Sequence, residues 1–433
     1  MTEREAVAHL LRRATFGPTA GEVDAAERAG VAATLDSLLA PPGADRGTAA
    51  TPLPALGPDP YAELADKPTR EQRQAANRER REQVLRLSGW WLDRMVAADD
   101  QAGEKLLFFW HGHWATSVRK VRSAPLMLRH LETLRRHGRG PLDALVTAMV
   151  RDPALILWLD GHRNTRKAPN ENLARELMEL FTLGIGGGYT ETDVREGARA
   201  LTGWVVDRRT GAARFTPRRH DPGPKTILGV TGDLDATAYA RLLASRPEAA
   251  RFVASRLWFR YAGPQVPAPA DLAGPDTVGT LRRVFTAPAF AQSPGTLVKQ
   301  PVEWLVGALR QLGVRPSTLP EQRRRQLLAG LEAMDQVPLR PPSVGGWPAG
   351  GAWLTTSSLQ ARLRSANLLA AVAAPAALDR LAAAPPDGRL DALARLLVVD
   401  SWSVRTRAAL TPLAGEPRQL LAAGLVSPEY TVS

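Results

Sequence analysis

The sequence of 433 residues contains no cysteine. That removes disulfides, thiolate zinc sites, iron–sulfur clusters and cysteine nucleophiles, so any metal would have to be held by His, Asp, Glu or Asn. Long apolar runs are missing too, since nothing approaches the roughly 18 consecutive apolar residues of a membrane span. The opening MTEREAVAHLLRRATFG meets acidic residues where a signal peptide needs an apolar stretch. The expectation is a soluble cytoplasmic protein without a membrane span. P-loop, dinucleotide-binding, HExxH and GxSxG elements are absent, as are internal repeats.

What is there is an ordinary globular composition, 44% apolar and 23% charged, with a formal charge of +12. An excess of positive charge favours acidic partners. Arginine far outnumbers lysine in a chain rich in Ala, Arg, Pro, Gly and Leu, a pattern that GC-rich coding also produces. No nucleic-acid recognition motif accompanies the charge. An acidic small molecule or polymer is therefore the expected kind of partner, and nucleic acid is not.

Periodicity predicts a mainly α fold. Ala6, Leu10, Leu11 and Ala14 form one stripe before a Phe16-Gly17-Pro18-Thr19 break, and residues 41–68 read as loop. From Thr69 a polar stretch leads into Leu87, Trp91 and Met95 at helical spacing, which predicts one long helix solvated in its first half and buried in its second. Helical patterns follow over 103–114, 122–137, 141–150 and 170–183. Thr190 with Asp193 resembles a capping box ahead of a further helix to Leu201. Residues 203–230 are the exception, reading as a small β-hairpin with turns at Arg209-Thr210-Gly211 and Pro222-Gly223-Pro224. Pro/Gly-rich connections near 263–275 and 338–352 are candidate sub-boundaries, but the preferred organisation is one large helical domain over 1–433.

Four segments carry residues with chemistry. In Phe108-Phe109-Trp110-His111-Gly112-His113-Trp114, two imidazoles sit among bulky aromatics. On an ideal helix they diverge by about 200°, so only an irregular end would aim both at one centre. In the run from Asn170 to Phe181, Asn172, Glu176 and Glu179 share one helical face, and Arg175 stands four residues before Glu179. This is either a functional carboxylate pair or a solvated face with an ion pair. His220 and Asp221 lie in a Pro/Gly turn with Lys225 close by, the sort of loop that presents groups to a cleft or merely caps its own backbone. Trp347 and Trp353 lie in a glycine-rich loop that suits either a ligand platform or an anchor to the core.

The segments LLRRATFGPT, FWHGHWATS, NENLARELMELFTLGIGGGYTETDVREGARALTGW, HDPGPKTILG, KQPVEWLVGALRQLG, PPSVGGWPAGGAWLTTSSLQAR and VSPEY occur in this order. Together, from about residue 8 to 430, they resemble the bacterial family catalogued as domain of unknown function 1800. The resemblance implies a helical protein and no stated activity. It also implies a partner, because members often occur beside a second family that resembles alkaline phosphatases and carries an export signal. Many members are themselves exported, whereas this chain opens almost at the domain. The family's first motif more often reads Trp-His-Asn-His, and here Gly112 takes the Asn position.

Three readings follow. The first is a metal-dependent hydrolase or oxidoreductase, with His111, His113, His220 and Glu176 holding a divalent Zn, Fe, Mn or Cu ion. Glu176, Glu179, Asp221 and Lys225 would be its catalytic groups. The second is a metal-free hydrolase or lyase acting on a polysaccharide, using Glu176 and Glu179, with Asn172, Arg175, Trp347 and Trp353 contacting substrate. The third is a non-catalytic partner or assembly protein, in which the polar cluster is a structural network and the basic stretches Arg119–Arg139 and Arg208–Arg219 bind an acidic partner.

Overall fold

The computed structural model describes every residue except Asp66. Helix follows helix from Glu3 to Thr431, and the only sheets among the described residues are two antiparallel pairs of short strands. The capping predicted at Thr190 is present: Asp193 N–H donates to Thr190 Oγ1 at 3.2 Å and Thr190 N–H to the Asp193 carboxylate at 2.8 Å. The long helix runs Arg70–Ala97, exposed at first and then burying Val84, Leu87, Trp91 and Met95.

The β insertion is more divided than its sequence suggests. Strand β1 (Trp204–Asp207) pairs with β2 (Ala212–Phe215) across the expected Arg209-Thr210-Gly211 turn. The Pro222-Gly223-Pro224 turn instead leads into a second ribbon, β3 (Lys225–Ile227) with β4 (Val230–Gly232). Its turn places Leu228 and Gly229 at φ 50° and 80°, a geometry that usually signals itself by Asn or Gly at the first position. Leucine hides the signal, and the Leu228 N–H is held at 2.6 Å by the Asp193 carboxylate.

One cluster of buried apolar side chains extends from Leu10 to Tyr430 and includes Leu272 and Leu339 from the two Pro/Gly-rich connections. The chain's ends are tied into it. Arg13, fully buried, donates to the carbonyls of Tyr261 and Ala262, both at 3.0 Å, of Ser293 at 2.5 Å and of Ser433 at 2.6 Å. Burial pushes its guanidinium down to about 9, against the opposing charge of Glu303.

Candidate functional site

The Gln101–His113 helix stays regular to its end, where Trp114 N–H donates to Trp110 O at 2.8 Å. Its two histidines therefore diverge, as ideal geometry requires. His111 is buried against Trp91 and Trp347, and its Nε2 accepts the Leu339 N–H at 3.1 Å. His113 faces Phe109, Phe181 and Phe252, and its Nε2 donates to Phe181 O at 3.0 Å. Burial holds both below the usual imidazole range, His111 well below it and His113 at about 3. Each ring fastens a distant backbone segment to this helix.

A third imidazole completes the surroundings of His111. His130 is fully buried, its Nδ1 lies 2.9 Å from Asp152 Oδ1, and its ring centre is 6.1 Å from that of His111. His111 Nδ1 and His130 Nε2 are both buried without a hydrogen-bond partner. Sequence reasoning passed over His130, although it falls on the Met127, Leu131, Leu134 stripe of its helix, where a polar side chain must find a buried partner.

The Asn172–Glu176 helix runs directly into a π-helical turn, Leu177–Thr182. Its Asn residues belong to a backbone-fastening ladder. Asn164 Nδ2 donates to Ala198 O at 2.7 Å, Asn170 N–H to Asn164 Oδ1 at 2.9 Å, Asn172 N–H to Asn170 Oδ1 at 3.0 Å, and Asn172 Nδ2 to Leu159 O at 3.3 Å. Arg175 pairs with Glu171 at 3.1 Å and Glu191 at 2.7 Å, with Glu179 more distant at 3.7 Å. Glu176 and Glu179 are brought together: burial, then the charge of Glu179, raises the Glu176 carboxyl above its ordinary value. Tyr189 is pushed up to about 12, by burial first and by Glu179 next.

His220 and Asp221 stand apart from both groups. His220 Nδ1 donates to Thr202 Oγ1 at 3.0 Å and its ring packs edge-on to Phe215. Asp221 is bound by Arg199 at 2.7 Å, which holds its carboxyl down at about 2. Lys225 is wholly buried and donates to Gly223 O at 2.9 Å, with Asp233 at 3.6 Å. Trp353 is buried at 2% exposure. Trp347 is half-buried, stacked on Phe108 with ring centres 5.7 Å apart.

Several of the motif segments do converge on one small cleft of about 60 Å³, lined by Phe108, His113, Arg256, Arg260, Gln300 and Trp347 among others. Behind it Glu303 is shared by Lys105 at 2.8 Å and Arg260 at 2.9 Å. Burial raises the Glu303 carboxyl, but Arg260 and Lys105 outweigh that and hold it well below the usual range. Burial also lowers Lys105 to about 8. Glu303 does not stand out from the sequence, because its partners lie on other helices, and neither does Arg256, one arginine among many on a helix.

Among the described residues no group of three or more His, Asp or Glu side chains is placed to hold a metal ion. No helix is long and apolar enough to cross a membrane alone. A family model described as "Protein of unknown function (DUF1800)" matches residues 9–432. No curated protein and no solved structure matches the chain.

Proposed function

Starting from a chain that belongs to the DUF1800 family over nearly its whole length, we propose that it is a non-catalytic binding protein that takes an acidic chain, a polymer or a partner's acidic segment, on one basic face. The observation that carries this reading is that its two basic stretches, distant in sequence, meet. Arg129 donates to Gly211 O, Arg208 to Val121 O at 2.8 Å, Arg166 N–H to Arg219 O at 2.8 Å, and Arg219 to His162 O at 2.9 Å.

The ion pairs on this face are Lys120–Asp160, Arg208–Asp59, Arg209–Glu63 and Arg214–Asp207. Among the described residues no acid pairs with Arg119, Arg129, Arg163, Arg166, Lys167 or Arg218, all exposed. Phe215, 44% exposed, stands among them. Unpaired cations grouped on one side create a field that steers and holds a polyanion, more strongly at low salt. The bonds that His111, His113, His220 and Asp221 make to backbone and arginine support the same reading, since they give these groups structural work.

Binding of purified protein to polyglutamate, followed across a salt series, tests the proposal. Saturable binding that weakens as salt rises is expected, with Arg163→Glu plus Arg166→Glu abolishing it. Unchanged binding by that double variant would overturn the reading. So would a stoichiometric metal on elemental analysis that is lost in both His111→Ala and Glu176→Ala, an outcome that favours a metal-dependent enzyme.

A further inference from the structure

The cleft between the Gln101–His113 helix, the Pro247–Tyr261 helix and the Trp347 loop holds a different kind of charge from the basic face. Phe252, Arg256, Phe259 and Arg260 recur at helical spacing on one side of the Pro247–Tyr261 helix. Arg260 is spoken for by Glu303. Among the described residues Arg256 has neither a hydrogen bond nor an acid within reach; Phe259 lies 5.8 Å from its guanidinium, and burial alone lowers its pKa. Lys105 and Arg260 thus share one carboxylate, Glu303, and Arg256 has none, which leaves the region with more cations than acids.

Arg256 is half-buried, and a cation drawn partly out of water without a partner gains from a ligand that completes it. Two further atoms of the lining residues want partners: His113 Nδ1 and Trp347 Nε1 are buried without one. The larger cavity of about 230 Å³ beside Trp110 makes the contrast. There Arg135 meets Glu104 at 2.8 Å and Arg139 meets Asp100 at 3.5 Å, so its arginines already face acids.

We infer that the cleft is a site for a small oxyanion, a phosphate or carboxylate group, bound by Arg256 with Arg260 behind it and walled by Phe108, Phe259 and Trp347. Its volume, about 60 Å³, suits this size, because a single water needs roughly 10–15 Å³ on the same measure. Arginine's planar fork matches either group in a bidentate manner. The inference is independent of the basic face, whose residues it does not use.

Calorimetric titration with inorganic phosphate and, separately, with acetate at constant ionic strength tests it and tells the two chemistries apart. Saturable one-to-one binding of one anion is expected. Arg256→Gln should weaken it at least tenfold while leaving Tm unchanged or higher, because the substitution removes an unpaired, partly buried charge. Arg256→Lys, which keeps a cation but loses the fork, should bind with an affinity between those of the parent and Arg256→Gln, and Arg364→Gln on an exposed helix face should retain all of it. The inference is overturned if neither anion saturates at tens of millimolar, or if Arg256→Gln binds as well as the parent. Arg163→Glu plus Arg166→Glu should leave anion binding intact, which keeps a failure here separate from a failure of polyanion binding.

Discussion

His130 and Asp152 form a fully buried pair, Nδ1 to Oδ1 at 2.9 Å, and the same carboxylate oxygen caps the Pro153–Trp158 helix by accepting the Leu155 N–H at 2.9 Å. One group thus anchors an imidazole and starts a helix. Removing the imidazole strands a buried carboxylate. His130→Ala should cost about 3–5 kcal/mol of unfolding free energy, read by urea denaturation. A loss below about 1 kcal/mol would show that the pair does not act as a unit.

Glu303 occupies the corresponding position among the cations. Glu303→Gln leaves Lys105 and Arg260 buried without a counter-charge and should destabilise by about 3–5 kcal/mol. The substitution also weakens the start of the Pro301–Gln311 helix, because the Gln300 N–H donates to this carboxylate at 3.0 Å. Thermal unfolding at pH 7 checks it.

Stability should fall with acidification below about pH 6.5. His9 is held at about 4 and His113 at about 3 by burial, and His111 is held well below its ordinary value. The unfolded chain therefore binds protons at these sites before the folded one does. Each such site loses about 1.4 kcal/mol per pH unit from 6.5 down to its folded value. Urea midpoints between pH 7 and 5 should show the decline, and His113→Gln should make it shallower by one site's share. An unchanged slope in that variant would remove His113 from the account.

Gly112 and Gly346 should respond in opposite directions to alanine. A Cβ on Gly112 would meet Trp347 at 3.7 Å, an ordinary contact, so Gly112→Ala should stabilise the helix by up to about 1 kcal/mol. A Cβ on Gly346, at φ 84°, would lie 2.3 Å from the Gly112 carbonyl oxygen. Gly346→Ala should therefore cost about 2 kcal/mol or more. Paired melting curves decide both.

The helices were legible because their apolar spacing and caps are local. The long Arg70–Ala97 helix and the Thr190–Asp193 cap follow from residues a few positions apart. The divergence of His111 and His113 was legible for the same reason. The second ribbon was not, because its turn is set by Leu228 and a bond from another helix. His130 and Glu303 were not either, since their partners are far off in sequence and a single chain carries no mark of such pairing, and nothing in the sequence marks Arg256 as the arginine left without one. Asn170 and Asn172 read from the sequence as part of a polar, functional face. Their work, holding the backbone around Asn164, is visible only in three dimensions.

The carbonyls that receive the guanidinium of Arg13 come from positions 261, 262, 293 and 433, which imposes an order of events on biosynthesis. At about 5–20 residues per second, translation separates the emergence of Arg13 from that of its last acceptor by roughly 20–80 s. During that interval the Glu3–Ala14 helix can form but cannot dock in its final place. Val7 and Leu11 can pack early against Val23 and Ala26, but Leu10 and Ala14, which join the large core, stay uncovered, a stretch for a chaperone to shield. Contacts closed last across so long a separation also slow folding, so refolding of the whole chain should lag behind the formation of its helices.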